Sequence, residues 1–287
     1  MTRAEPPGSP QERAIAHLTT LAEGDPSDSC PLAPLQVTLH FHPDRLVGGL
    51  PILAAMARDG VYRSQFETGT SNGALSAYRG GERWLWESRI FGGAYDDAPA
   101  AERPKYGSLN FRGHPLGGSP RFGSAYLRLT GETLARTTFC YPDSVFAPRH
   151  FGSAARLSAL LGAAQTRQAD VLDDYIEAHV HGRIELARHV DALVLDPCYR
   201  DTPVAQAAAR LGCPVQWHVG FRLSTDELRR HPDYRGPQYV ELGLLLARDG
   251  YLDPGIIGDA ARTGLYDEQA LKRVWHYVAR FGAGEQR

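Results

Sequence analysis

Lysine is nearly missing from this chain. In 287 residues only Lys105 and Lys272 carry an ammonium, and arginine supplies nearly all of the 31 basic side chains. Against them stand 33 acidic residues, for a net charge of −2, with no long block of like charge. The electrostatic footprint of a nucleic-acid or anionic-membrane partner is therefore absent. Cysteine is scarce too: Cys30, Cys140, Cys198 and Cys213 lie far apart without a C-x-x-C pair, which excludes a zinc ribbon and a dense disulfide framework. A reducing compartment is expected. No stretch reaches the roughly 18 unbroken apolar residues of a membrane span, and the start, MTRAEPPGSPQER, lacks the apolar core of a signal peptide. These absences predict a soluble, cytoplasmic protein without a membrane partner. Also missing are a G-x-S-x-G elbow, a Walker loop, an H-E-x-x-H helix and a G-x-G-x-x-G turn after a strand. Esterase, P-loop and dinucleotide-fold readings fall away.

What is there reads as an α+β protein with many turns, 43% hydrophobic, 30 glycines and 20 prolines. A tail and a short helix (QERAIAHLTTL) occupy residues 1–35. QVTLHFH, residues 36–42, alternates apolar and polar side chains as a half-buried strand does, and Val47 to Asp59 has helical spacing closed by Gly60. From 61 to 124 the pattern suggests short strands and loops, RWLWESRIF among them. FGSAYLRL, RTTFCY, YIEAHVH and Val190 to Leu195 read as further strands, and helices dominate after Pro197. The expected division is a catalytic domain over 36–200 and a helical extension over 201–287, packed on the same domain.

Four clusters could carry chemistry. His40 and His42 share a strand face just before Pro43-Asp44-Arg45, the geometry of a first metal-ligand pair; the plain alternative is one structural and one exposed histidine. Tyr175, Glu177, His179 and His181 share another face, too polar for a core, which is expected to line a cleft or meet solvent. Thr70, Ser71, Asn72 and Gly73 form a Gly-flanked polar turn able to offer N–H and O–H donors, or an ordinary turn. Arg83, Trp84, Trp86, Arg89 and Tyr95 suit stacking on a ring or gripping a phosphate, though aromatic strands are more often core.

The run FETGTSNGALSAYRGGERWLWESRIFGGAYD, with ERPKYGSLNF, PRFGSAYLRL, RTTFCYPDS and YIEAHVHG, resembles the bacterial and fungal family DUF3626 over about residues 36 to 280. RPKYGSLN, RFGSAYLRL and YIEAHVHG also resemble, remotely, toxin domains of the ADP-ribosyltransferase superfamily over about 36 to 197. The second resemblance implies a split antiparallel sheet with NAD in its cleft. It further implies an Arg or His ending an early strand, a Ser, Thr or Tyr on a middle strand and a Glu on a late one. His42 or His40, with Arg45 nearby, matches the first; Ser124 or Tyr126 the second; Glu177 the third. By this resemblance Glu177 stabilises positive charge developing on ribose, Ser124 orients it, and His42 holds ribose or phosphate oxygens. His40, Arg45, Tyr126 and the turn at Thr70 to Gly73 would complete the NAD site. One departure stands out: members that modify proteins often carry Gln or Glu two residues before the catalytic Glu, and here that residue is Tyr175.

The resulting expectation is a mono-ADP-ribosyltransferase or NAD glycohydrolase acting on NAD, its acceptor unspecified. Two alternatives remain at this stage. One is a metal-dependent hydrolase using His40 and His42 with His179, His181 or His218 and Asp196. The other is a binding relative without chemistry.

Overall fold

Val37, Leu39 and Phe41 alternate with Thr38 and His40 in β1 (Val37–Phe41), and that alternation organises a sheet of eight strands. In the computed structural model, which describes residues 8–24, 35–69, 75–167 and 169–283, its other strands are β2 (Lys105–Leu109), β3 (Ala125–Leu129), β4 (Thr137–Tyr141), β5 (His150–Ser153), β6 (Ile176–Val180), β7 (Val190–Leu195) and β8 (Val215–Trp217). Their spatial order is β8-β7-β3-β1-β2-β6-β4-β5. Every pairing is antiparallel except β7 with β8, whose parallel register needs a crossover and finds it in α5 (Pro203–Ala208).

The odd residues of β1 and their cross-strand partners form the main core. Leu39, Phe41, Leu109, Leu127, Phe139, Ile176, Ala178, Val180 and Leu193 pack against α2 (Ile52–Asp59), α4 (Ser158–Thr166) and α5. Thr38 and His40 of β1 and their cross-strand neighbours make the opposite face polar: Tyr106, Ser108, Tyr126, Thr138, Cys140, Glu177 and His179. This face is buried as well, so β1, β4 and β6 are covered on both sides. Period two thus correctly marks these strands, but the expectation of a half-buried β1 and of a cleft- or solvent-facing Glu177, His179 and His181 is corrected. A second layer lies over them.

Part of that layer is α3 (Glu82–Ile90), in the segment the aromatic composition suggested as a strand. Arg83, Trp86, Glu87 and Ile90 are its buried residues, at helical spacing, so one stripe turns inward. With Phe91, Tyr95, and Ala14 and Leu18 of α1 (Pro10–Leu21), they roof β4 and β6. The loop before β3 roofs the other half. Its Gly117 and Gly118 press on His40 and Ser108 so closely that a Cβ at either would collide.

A separate cluster, built on Trp275, Val274, Val278, Leu228, Val240 and Ile257, joins α6 (Pro237–Leu246), α7 (Pro254–Thr263) and α8 (Glu268–Phe281). The Trp275 indole N–H ties it to the loop before β3, donating to the carbonyls of Pro120 at 3.0 Å and Arg121 at 3.2 Å. The C-terminal third is mostly helical, yet it also lends β8 to the sheet, so residue 200 does not separate sheet from helices. α2 begins later than Val47 because Leu46–Val47 and Leu50–Pro51 pair as a short hairpin first.

Candidate functional site

Glu177 is the second residue of β6, opposite Ser108 on β2 and Cys140 on β4. The residue is 5% exposed, and its carboxylate is held from two sides. Oε2 accepts the Ser144 hydroxyl at 2.9 Å and Oε1 accepts His179 Nε2 at 3.1 Å. Arg83 Nη1 lies 3.7 Å from Oε1 and donates to Ser144 Oγ at 3.0 Å. Burial pushes the Glu177 carboxyl up, but the His179 hydrogen bond and the Arg83 charge outweigh it and the acid is strengthened. The neighbouring Asp143 goes the other way, raised to about 7 by burial and by the charge of Glu177. Both acids contact one hydroxyl, since Ser144 Oγ is also 3.3 Å from Asp143 Oδ1. Asp143 is fixed in place by the Val145 N–H, which it accepts at 2.6 Å.

An ionised Glu177 can only accept, so Nε2 of His179 carries a proton and Nδ1 is an acceptor. The Thr138 hydroxyl then donates to that Nδ1, 3.1 Å away, and accepts from His181 Nε2 at 2.9 Å. His181 Nδ1 accepts the Tyr95 hydroxyl at 2.7 Å. Four bonds run in one direction, from Tyr95 on the roof to Glu177 on the sheet. Burial keeps both imidazoles neutral, lowering His179 and taking His181 well below the usual histidine value. Arg83 rests 4.1 Å above the Tyr106 ring, and Tyr106 donates to the buried Glu87 at 2.7 Å. Glu87, raised to about 7 by burial, also accepts Arg103 at 2.5 Å.

Toward β1 the polar face continues as a line of hydroxyls. Ser108 Oγ is 3.0 Å from Thr38 Oγ1 and accepts Ser119 Oγ at 2.8 Å. The Ser119 N–H donates to His40 Nε2 at 3.3 Å, and His40 Nδ1–H donates to the Gly123 carbonyl at 3.1 Å. His40 is pushed down to about 3 by burial and stays neutral. Tyr126 packs its ring 5.1 Å from His40 and gives its hydroxyl to the Pro115 carbonyl.

The register sorts the expected site residues. His40 stands two strands and two residues from Glu177, about 12 Å between Cα atoms at ordinary sheet spacing, and His42 about 16 Å. Ser124 begins β3, three strands and four residues away, about 20 Å. It therefore does not orient Glu177; Ser144 does, and the hydroxyl opposite Glu177 in the sheet is Ser108. Ser124 instead sits at the far strand ends, its hydroxyl buried and its carbonyl accepting His218 Nε2 at 2.7 Å. His42 turns its ring edge to Trp275, centroids 5.2 Å apart, and is held down to about 3 by burial and the nearby Arg45. Arg45 lies just past β1, where its carbonyl caps the start of α2. Thr70, Ser71, Asn72 and Gly73 lie outside the described residues. Of the aromatic and guanidinium group, Arg83, Trp86 and Tyr95 do join the site.

The metal reading finds all its ligands but His42 already occupied. Both nitrogens of His40, His179, His181 and His218 are hydrogen-bonded within the protein, His218 through Nε2 as above and Nδ1 accepting the Gly220 N–H at 3.0 Å. Both oxygens of Asp196 accept backbone N–H groups, from Cys198 and Phe221. A different trio, Cys140, Glu177 and His179, does bring three donor atoms within 4.8 Å. The Cys140 thiol, however, is pushed well up by burial and by Glu177, and the Arg83 charge stands beside the carboxylate. Thiolate is the ligand form and a cation repels a guanidinium, so this set does not favour a metal.

A cavity of about 410 Å3 lies elsewhere, lined by Asp59, Tyr62, Arg63, Glu67 and Lys105 and by none of the residues that hold Glu177. Sequence reasoning missed Asp143, Ser144, Ser108 and Cys140. Their signal was present in the phase of KYGSLNF and in PDS directly following a strand.

Fold and site together define a mixed α+β protein whose mostly antiparallel sheet carries a buried carboxylate–histidine centre. Its sequence matches the family described as Protein of unknown function (DUF3626) over residues 36–168 and 158–281, and the chain belongs to that family. No curated protein matches it. Among the described residues no helix is long and apolar enough to cross a membrane.

Proposed function

We propose that this protein cleaves the nicotinamide–ribose bond of NAD, as an ADP-ribosyltransferase or NAD glycohydrolase, with Glu177 as the residue that stabilises the transition state. The observation that carries this reading is the pair of carboxyls sharing the Ser144 hydroxyl, one driven toward ionisation and the other to about 7. Two acids whose environments push them apart supply two roles. Glu177 is buried under the roof, so NAD binding requires that layer to open; as nicotinamide then departs, positive charge grows on the ribose, and the ionised Glu177, bonded to a ribose hydroxyl that displaces Ser144 from Oε2, binds the transition state more tightly than the ground state. Asp143 takes the proton from the attacking hydroxyl, amine or water, a general base matched to neutral pH. The balance is NAD plus H–X giving nicotinamide, ADP-ribosyl–X and a proton.

The strand arrangement supports the reading further. His40, Ser108 and Glu177 lie on three adjacent strands, β1, β2 and β6, in the chain order of the ADP-ribosyltransferase landmarks, with Ser108 in place of Ser124. The sheet is continuous over eight strands rather than split, and β8 lies beyond residue 200, so the reading draws on the order of these three residues and not on the superfamily's sheet. Incubating the full chain with NAD and following free nicotinamide by chromatography tests the proposal. Release that persists in a chelator and is lost in Glu177→Gln supports it; no release above buffer, with hydride or metal-dependent turnover instead, overturns it.

A further inference from the structure

α8 carries a histidine with nothing to bond. His276 is 0% exposed, and neither ring nitrogen has a hydrogen-bond partner. Burial and the charges of Arg121, Arg235, Lys272 and Arg273 around it keep the imidazole neutral, pushed down to about 2. The inner nitrogens of two of these cations, Nε of Arg121 and Nε of Arg235, are likewise buried without an acceptor. Acids are present but engaged at the outer nitrogens. Asp173 pairs with Arg121 Nη1 and stands 3.6 Å from Arg235 Nη2, and Asp170 is 3.8 Å from the same Nη2. Buried donors without acceptors are costly and native chains carry few, so a group of them among converging cations is selected for an acceptor that arrives with negative charge.

We propose that Arg121, Arg235 and His276 form a binding site for a phosphate group. Guanidinium presents a planar fork of N–H donors that matches phosphate oxygens, and a neutral imidazole adds one N–H without further repulsion. The charges of Arg121 and Lys272 also act on Asp143, which links the site electrostatically to the carboxyl pair. The phosphate has two possible sources. It is the diphosphate of NAD if Glu177 acts as proposed, an identification that rests on that reading; otherwise it is a free phosphate ligand. The site itself stands on the C-terminal helices and does not depend on the chemistry at Glu177.

Titration calorimetry of the full chain with inorganic pyrophosphate, at ionic strength held constant with chloride, decides it. Saturable binding at one site per chain is expected, weakened at least about tenfold, the scale of one charge-assisted contact, by Arg235→Gln and by His276→Gln. The exposed Arg188, which pairs with Glu132, serves as the control: Arg188→Gln leaves binding unchanged. Binding that never saturates, or that ignores both substitutions, means an adventitious ion only and overturns the site. Should either variant fail to melt cooperatively, Arg235→Lys keeps the charge and removes the fork, and undiminished affinity in it counts against the proposal. Competition separates the sources. ADP-ribose and NAD displacing pyrophosphate while nicotinamide riboside does not identifies the substrate's diphosphate. Pyrophosphate binding untouched by all three keeps the site and removes NAD from it.

Discussion

At the scale of single residues, the argument turns on what each carboxyl gains from its neighbours. Glu177 has a hydroxyl, an imidazole and a nearby guanidinium, so under the proposed function removing its charge removes the carboxylate that answers a developing cation. Glu177→Gln keeps the size and one acceptor oxygen, and turnover of NAD is expected to fall roughly 10²-fold or more, with little change in NAD affinity measured by calorimetry. A loss of affinity equal to the loss of rate would assign Glu177 to ground-state binding instead. Asp143 gives a different signature. As a base it works only when deprotonated, so the rate is expected to rise with pH through about 7 and level off above it. Asp143→Asn should lower the rate and flatten that limb, and a pH profile unchanged in the variant would take the base role away from Asp143.

At the scale of elements, the strands are set by alternation and their partners by close approach. The backbone of β1 and the turn into β3 meet at Gly123, where φ is 156° and a Cβ would fall on the backbone of Phe41. Neither side can give way, since the obstacle is main chain. Gly123→Ala is therefore expected to cost about 3 kcal/mol or more, the upper range of overpacking, and to displace His40, whose Nδ1 proton goes to the Gly123 carbonyl. Urea unfolding measures the cost; a change below about 0.5 kcal/mol would mean that β1 and β3 are not held this tightly. The alternating segments VTLHF, AYLRL, TTFCY and IEAHV announced their strands. Two things were not legible. RWLWESRI is a helix because Arg83, Trp86, Glu87 and Ile90 share its inner stripe, whereas the crowding of aromatic side chains argued for a strand. Ser144 reaches Glu177 from the segment after β4, and Ser124 does not, because strand order rather than sequence order decides which hydroxyl stands next to which acid. A single sequence states periodicity directly, but states neighbours across a sheet only through register.

At the scale of the whole molecule, burial of imidazoles sets the response to acid. His40 and His42 are pushed down to about 3 and His276 to about 2, each chiefly by burial, and His179, His181 and His218 are lowered as well. In the unfolded chain these groups regain the ordinary value of about 6.5. Between about 6.5 and 3 the unfolded state therefore binds more protons than the folded one, and stability falls as pH falls. Glu87 and Asp143 act oppositely. Raised to about 7, they leave the folded state with more bound protons between about 4 and 7, and on their own would make stability rise on acidification. With His114 and His189 also lowered and Asp44 also raised, eight histidines stand against three acids, so the histidines decide the sign in the window the two groups share. Urea midpoints at pH 7 and pH 5 are expected to show a clear loss at pH 5, and His276→Gln, which removes a titrating group from the most cationic surroundings, should shrink that difference. A midpoint that is equal or higher at pH 5 would mean that the polar face of the sheet admits water and protons in the folded state, and the buried relay from Tyr95 to Glu177 would lose its basis.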